Sequence, residues 1–422
     1  MSSLNNLDDA RRLPKSLLHD HLDGGLRVAT VLELADKIGW TLPTTDPAAL
    51  QAWFTAGADS KDLLQYLATF EHTLAVMQTE ANIERIAAEA ALDLANDGVV
   101  YAEVRFAPEL HVHNGLSLEA VVSAVTAGFR RGEREAAAVG KSILVNAICC
   151  AMRTEQRSLE VVQLVERMRD YDDKVVAFDL AGAETGWPPS LHAEALAFAR
   201  QHHINVTIHA SEPPDLELID DALQHGAHRI GHGVRLRSDI TTRADGSLEL
   251  GELARYVYDH QIPLEMAPTC HVHVGAVPDL ASHPIGPMLR HGFNVSVNTD
   301  NRLMSGVMPS SELLAVATTF DLTSAEVEQL VVNGVMAGFA PLETRKRIVE
   351  QQVRIEVRRE RGRMPFRAIG RRAQRGQRAL GIESGRRDAR VAGAIGDVFL
   401  HPQREDRLHV VAHPGLGGLR LS

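Results

Sequence analysis

Ser16-Leu-Leu-His-Asp-His21 is a short apolar run that ends on three polar residues. Read as a buried strand, it sends His19 and His21 to one face, because side chains two apart on a strand point the same way. The same design recurs downstream: residues 205–209 end on His209, 229–232 on His232, and 294–298 lead into Thr299-Asp300. Four more apolar runs, 99–106, 142–149, 175–180 and 262–266, bring the expected strands to eight. Helix-like segments lie between them, among them 82–96, 118–138, 158–171 and 189–202, the first two closed by Asp97-Gly98 and Val139-Gly140. Strand alternating with helix over eight repeats predicts an α/β fold, a (β/α)8 TIM barrel. A doubly wound open sheet is the alternative, but no Gly-x-Gly-x-x-Gly follows the first strand. In a barrel the chemistry sits at the C-terminal strand ends, which is where these polar residues fall.

The chain has 422 residues and a formal net charge of −11, which argues against a general binder of nucleic acid or anionic membrane. The charge is uneven. Residues 353–422 hold 16 Arg, no Lys and 7 acidic residues, so this stretch is read as a separate, solvated and poorly ordered Arg-rich extension. The barrel is expected over residues 10–352. Cys149 and Cys150 are adjacent and Cys270 is distant, a pattern without a disulfide framework. No apolar run reaches signal-peptide or bilayer-spanning length, so the expected location is the cytoplasm. Residues 28–80 form a long insertion after the first strand, with Trp40, Trp53, Phe54, Tyr66 and Phe70. Extra packing helices are the expectation there; a lid over the barrel mouth is the functional alternative.

His19, His21, His209 and Asp300, each at a strand end, make a His-rich set with one carboxylate. That set suits a catalytic Zn²⁺ better than a structural one, which favours thiolates. Such an ion keeps a position open for water and lowers its pKa toward neutrality. Glu212, three residues past His209, is placed to donate a proton to a developing negative charge. His232 can orient or deprotonate the water, and Asp300 can both ligate and accept its proton. The other histidines, including His111, His113, His202, His203 and His225, read as surface or hydrogen-bonded core residues. His271 and His273 repeat the His-x-His spacing, but in a Pro-containing loop that makes a poor platform for a second metal pair.

Pro14-Lys-Ser-Leu-Leu-His-Asp-His-Leu-Asp-Gly24, Asp179-Leu-Ala-Gly182, His209-Ala-Ser-Glu212, Gly231-His-Gly233, Leu264-Glu-Met-Ala-Pro-Thr269 and Asn298-Thr-Asp-Asn-Arg-Leu-Met-Ser305 occur in this order. Together they resemble the adenosine deaminase family of the amidohydrolase superfamily, bacterial members in particular. The resemblance covers about residues 10–352. It implies one Zn²⁺ per chain, held by His19, His21, His209 and Asp300, and loss of ammonia from C6 of adenosine to give inosine. By the same resemblance Glu212 protonates purine N1, and His232 and Asp300 serve the water. The implied substrate contacts are His21, Asp23 at the ribose end, the Gly182 backbone N–H at N3, and Asn301 at N7. The implied partner is a small-molecule nucleoside in purine salvage, not a nucleic acid or a membrane.

Three departures stand out. Ser211 replaces the family's usual Gly, where a side chain could crowd the ligand. Asn301 replaces a common Asp, and its amide can donate to N7 without being protonated. Pro268-Thr-Cys-His271 stands where Pro-Thr-Ser-Asn is frequent. A binuclear centre needs a lysine at the end of strand four, and Lys174 lies at the opposite end. Adenine or aminofutalosine as substrate, or a non-catalytic purine binder, are the remaining alternatives. A nucleotide substrate would need a basic pocket; Arg153 and Arg302 are the candidates, and both are expected to serve as structural ion-pair partners instead.

Overall fold

Runs such as Leu17-Leu18 and Val206–Ala210, buried on both faces, form a parallel barrel because only a closed sheet wrapped by helices covers both sides of such strands. The computed structural model describes residues 4, 6–61, 66, 69–213 and 215–354. Its barrel strands are β1 (Lys15–His21), β2 (Val99–Phe106), β3 (Leu144–Met152), β4 (Val175–Ala181), β5 (Asn205–Ala210), β6 (Arg229–His232), β7 (Leu264–Met266) and β8 (Val295–Val297). They pair in parallel and in chain order, the expected (β/α)8 arrangement.

The seam between β8 and β1 is closed by residues of the site. His21 N donates to the Asp300 carbonyl at 2.8 Å, and Asp300 N to the His19 carbonyl at 2.9 Å. Just before it, the Asn298 side-chain oxygen accepts from Leu18 N at 2.8 Å and His19 N at 3.1 Å. A side-chain amide thus stands in for the ladder where β8 has ended, and it fixes the backbone that carries His19 and Asp300.

The barrel interior is ionic. Arg105 on β2 pairs with Asp179 on β4 at 2.8 Å and with Glu265 on β7 at 2.5 Å, and it also donates to the Leu18 carbonyl at 2.7 Å. Arg229 on β6 bridges Glu265 and Glu103, each at 2.6 Å. All five side chains are essentially inaccessible to solvent. Burial opposes the charge on Glu265, but Arg105 and Arg229 outweigh it and hold the carboxyl well below the usual range.

Several boundaries differ from those read off the sequence. The third strand lies two or three residues later than 142–149. The helix expected over 158–171 ends at Arg169, and the one expected over 189–202 is a 3-10 turn, Pro189–His192, followed by a helix, Ala193–Gln201. At that break the His192 ring is held by Ser158 Oγ at 2.9 Å and the Arg153 carbonyl at 3.0 Å. A hairpin, Ile240–Thr242 with Leu248–Leu250, has no counterpart among the expected elements. The insertion contributes helices Val28–Ile38, Pro47–Ala58 and Phe70–Ala75. Its aromatic residues divide: Trp40, Trp53 and Phe54 gather around His72, whereas Tyr66 and Phe70 face the barrel cavity.

After β8, helices Pro309–Thr319, Ser324–Ala337 and Leu342–Ile348 complete the wall, and Val353 packs with Leu18, Tyr101 and Val335. The expectation for the Arg-rich stretch from 355 onward lies outside the described residues. Among the described residues no helix is long and apolar enough to cross a membrane.

Replacing Arg229 with Met leaves Glu103 without its cation in a dry interior. The unfolding free energy is expected to fall by about 3–5 kcal/mol. Urea titration checks this, and a change within experimental error would show that the network does not hold these strands.

Candidate active site

Four side chains converge at the C-terminal mouth of the barrel. His21 Nε2 lies 3.1 Å from His209 Nε2, and the Asp300 carboxylate is 3.3 Å from His19 Nε2 and 3.4 Å from His21 Nε2. The sequence expectation named these four, and the structure brings them together. His232 joins the same cluster: one ligand atom each from His19, His209, His232 and Asp300 fall within 4.8 Å of one another.

The far side of each ring decides what it offers. His19 Nδ1 faces the Glu265 carboxylate at 3.0 Å, and His209 Nδ1 faces Asp179 at 3.0 Å. A carboxylate accepts, so each Nδ1 carries the hydrogen and each Nε2 presents a lone pair to the centre. His19 Nε2 is buried without a hydrogen-bond partner among the described residues. Burial pushes the His21 and His209 imidazoles below their ordinary range, which keeps them neutral. Imidazole Nε2 atoms turned to one point by carboxylates behind two of the rings, beside a further carboxylate, are the donor chemistry of a metal centre. The cluster can hold a metal ion.

The backbone is strained where these residues turn into the mouth. Ser211, His232 and Asp300 all have positive φ, at 65°, 62° and 57°. Ser211 does not crowd the cavity: its hydroxyl turns away to donate to the Asp215 carbonyl at 2.5 Å. Its N–H and that of Glu212 donate to Glu184 at 2.7 and 3.3 Å, so a buried carboxylate clamps the loop that carries Glu212. Burial, then the charges of Asp300 and Glu184, push the Glu212 carboxyl well above the usual range. Gly231 lies under the His19 ring, and a Cβ there would meet His19 Cε1 and His209 Cα at 3.1 Å.

The cluster forms the floor of a cavity of about 890 Å³, open mouth included. Phe70, Leu74, Leu110 and Met152 supply apolar wall, and Asp23, Gly182, Glu212 and Asn301 supply polar groups. Asp23 Oδ1 and Asn301 Oδ1 are buried without a hydrogen-bond partner among the described residues. Burial and the neighbouring Asp300 and Asp20 raise the Asp23 carboxyl to about 7. Gly182, which lines the cavity, sits at φ 96°, and a Cβ there would meet Met152 at 2.9 Å, so both the backbone conformation and the space favour glycine.

Other expectations need correction. Pro268–His273 is a short helix, not a loop, so His271 and His273 diverge. Glu312 anchors that helix by accepting from Thr269 N at 2.6 Å and Oγ1 at 2.5 Å. His271 is buried beside His232 at 3.1 Å, while His273 is half-buried elsewhere. Arg302 is the expected ion-pair partner, bound to Asp20 at 2.8 Å. Arg153 is not: it donates to the carbonyls of His209 at 2.6 Å and Leu180 at 3.2 Å and so props up the end of β5. Lys174 pairs with Glu133 at 2.6 Å, remote from the mouth.

Glu265, Asp179, Glu184 and Cys270 were assigned no role by sequence reasoning. Cys270 Sγ lies 2.9 Å from Asp300 Oδ2 and 3.4 Å from Glu212 Oε1. A charged residue inside an apolar strand, such as Glu265 in Leu264–Met266, is the signal that could have found the first two.

A parallel barrel that gathers a His/Asp cluster at its C-terminal mouth puts a metal-competent site where barrels of this kind carry their chemistry. A solved amidohydrolase from Burkholderia ambifaria, with bound Zn, shares the fold at a TM-score of 0.70 and 22% identity, over 84% of this chain and 94% of that one. Sequence comparison is more specific. Residues 14–354 match the family described as adenosine deaminase. Adenosine deaminase 1 of Streptomyces coelicolor is 48% identical over 82% of this chain and 88% of its own length. Adenosine deaminase of Mycobacteroides abscessus is 47% identical over 81% and 94%. The chain belongs to the adenosine deaminase family.

Asp179→Asn replaces the acceptor behind His209 with a group that no longer enforces its tautomer. Metal affinity is expected to fall about 10–100-fold with the fold retained. Chelator competition reads this directly, and an unchanged affinity would remove Asp179 from the centre.

Proposed function

We propose that the protein deaminates adenosine hydrolytically, giving inosine and ammonia, with one zinc ion per chain held by His19, His21, His209 and Asp300. The observation that carries this reading is the meeting of two buried carboxyls, Glu212 and Asp300, within 4.8 Å of each other beside the histidine cluster at the floor of the cavity, with burial pushing the first upward. Burial opposes the charge on Asp300, but the surrounding imidazoles hold its carboxyl well below the usual range. When bound, zinc supplies Lewis acidity that lowers the pKa of water.

The residues of the chain supply the rest. Phe70, Leu74, Leu110 and Met152 sandwich the base and exclude water. The Gly182 N–H reaches N3, Asn301 offers N7 the Nδ2 hydrogen not given to Tyr66 Oη, and the unpartnered Asp23 Oδ1 takes a ribose hydroxyl. Glu212 donates its proton to N1, which makes C6 electrophilic. Asp300 accepts a proton from the attacking water as its oxygen bonds to C6, and His232 orients that water. The amino group leaves C6 as ammonia once the proton held at Asp300 passes to it. The proton of the new C6 hydroxyl returns to Glu212 as the carbonyl of inosine forms.

No Lys or Arg lines the cavity among the described residues, and four acidic residues, Asp23, Glu184, Glu212 and Asp300, do. That lining favours a nucleoside over a 5′-phosphate, and 2′-deoxyadenosine is the second expected substrate. The reading places the reaction in purine salvage in the cytoplasm, where the buried free thiols Cys149, Cys150 and Cys270 stay reduced.

Glu212→Gln is expected to keep its metal and lose turnover by at least about 100-fold, since the amide cannot hand over a proton. His19→Ala is expected to lose both metal and turnover. Ultraviolet absorbance with adenosine, alongside metal content, separates the two, and near wild-type rates for Glu212→Gln would refute the role given to that residue.

A further inference from the structure

Behind His232, on the side away from the cavity, three imidazoles run in line. His232 Nδ1 lies 3.1 Å from His271 Nε2, and His271 Nδ1 lies 2.8 Å from His283 Nε2. The row ends on a backbone group: Ile285 N–H donates to His283 Nδ1 at 3.1 Å. His232, His271 and His283 are 2%, 0% and 1% exposed, so water does not compete for these contacts.

Hydrogen bonds between two imidazoles have no inherent direction, but a backbone amide can only donate. His283 Nδ1 must therefore be a lone pair, and a neutral His283 carries its hydrogen on Nε2. That hydrogen points at His271 Nδ1, which must accept, so His271 carries its own on Nε2. It is donated in turn to His232 Nδ1. The only neutral arrangement left for His232 has its hydrogen on Nε2, facing the cavity.

From this geometry we infer that His271 and His283 are positioning residues that lock His232 as a hydrogen-bond donor toward the reacting centre. The inference rests on the proposed deamination and deepens it. Burial, with Arg237 nearby, pushes the His283 imidazole down to about 3, in keeping with a neutral row.

Two consequences separate roles that distance alone leaves mixed. A nitrogen that bears hydrogen cannot ligate a metal, so His232 is excluded from the set in spite of its place in the 4.8 Å cluster, and His21 takes that place. Nor can that nitrogen accept a proton from water. His232 therefore orients the nucleophile by donating to its oxygen, and Asp300 alone is the base.

The test is long-range ¹H–¹⁵N correlation spectroscopy of the zinc-loaded, ¹⁵N-histidine-labelled full chain. All three rings are expected to show protonated Nε2 and bare Nδ1; a hydrogen on His232 Nδ1 would overturn the inference. This readout does not depend on turnover, so an enzyme silent on adenosine would sink the proposed function and leave the tautomer result standing.

Kinetics gives a second arm. His271→Leu removes the donor and is expected to lower kcat about 10–100-fold with KM within about twofold and one metal per chain retained. His271→Gln puts an amide N–H where the imidazole Nε2–H lies and is expected to recover most of the loss. Equal damage from both variants, or no loss in His271→Leu, would contradict the relay. Should His271→Leu fail to fold, the spectrum of the unsubstituted protein decides.

Discussion

One carboxylate, that of Glu265, holds the barrel and its site in register. It accepts from Arg105 at 2.5 Å, Arg229 at 2.6 Å, Thr207 at 3.0 Å and His19 Nδ1 at 3.0 Å. Four strands besides its own converge on two oxygen atoms. A buried ion network of this sort gives little net stability, because desolvation consumes most of the Coulombic gain. What it does give is direction. With every lone pair of Glu265 engaged, the His19 ring cannot rotate or change tautomer without stranding a charge. Asp179 repeats the arrangement for His209, and Arg105 ties the two carboxylates together. The imidazole lone pairs at the mouth are thus oriented from within the barrel core.

The mouth depends on strain held in place by contacts. Ser211, His232 and Asp300 adopt left-handed backbone conformations that cost a residue with a side chain about 1–2 kcal/mol each. At Ser211 the clamp from Glu184 and the hydroxyl bond to Asp215 offset that cost, which is how a Ser occupies a turn suited to Gly. At Asp300 the β1–β8 seam does the same. At His232 the histidine row holds the ring. At His232 and Asp300 the turn aims the side chain into the site.

Much of this was legible in the sequence. His19, His21, His209 and Asp300 could be picked out because each ends an apolar run, and chance rarely sets His or Asp at the ends of several buried strands. The barrel followed from the count of such runs and the helices between them. The supporting groups were not legible in the same way. Glu103, Arg105, Arg229 and Glu265 interrupt apolar strands, and nothing in a linear reading says whether an interruption faces a partner or marks an edge. His271 was misread because Pro268 looked like a loop signal, whereas Pro is compatible with the first turn of a helix. The division of the aromatic insertion between cavity and outer packing depends on which face each short helix buries, and its weak periodicity does not reveal that.

The central claim is that one metal ion, oriented by this network, and the Glu212/Asp300 pair together turn a purine cavity into a deaminase. The most direct test titrates zinc into chelator-stripped protein while adenosine conversion is followed by ultraviolet absorbance. Turnover is expected to rise linearly and to reach its plateau at one ion per chain. No conversion at full occupancy, or a rise that continues to two ions per chain, would contradict the account.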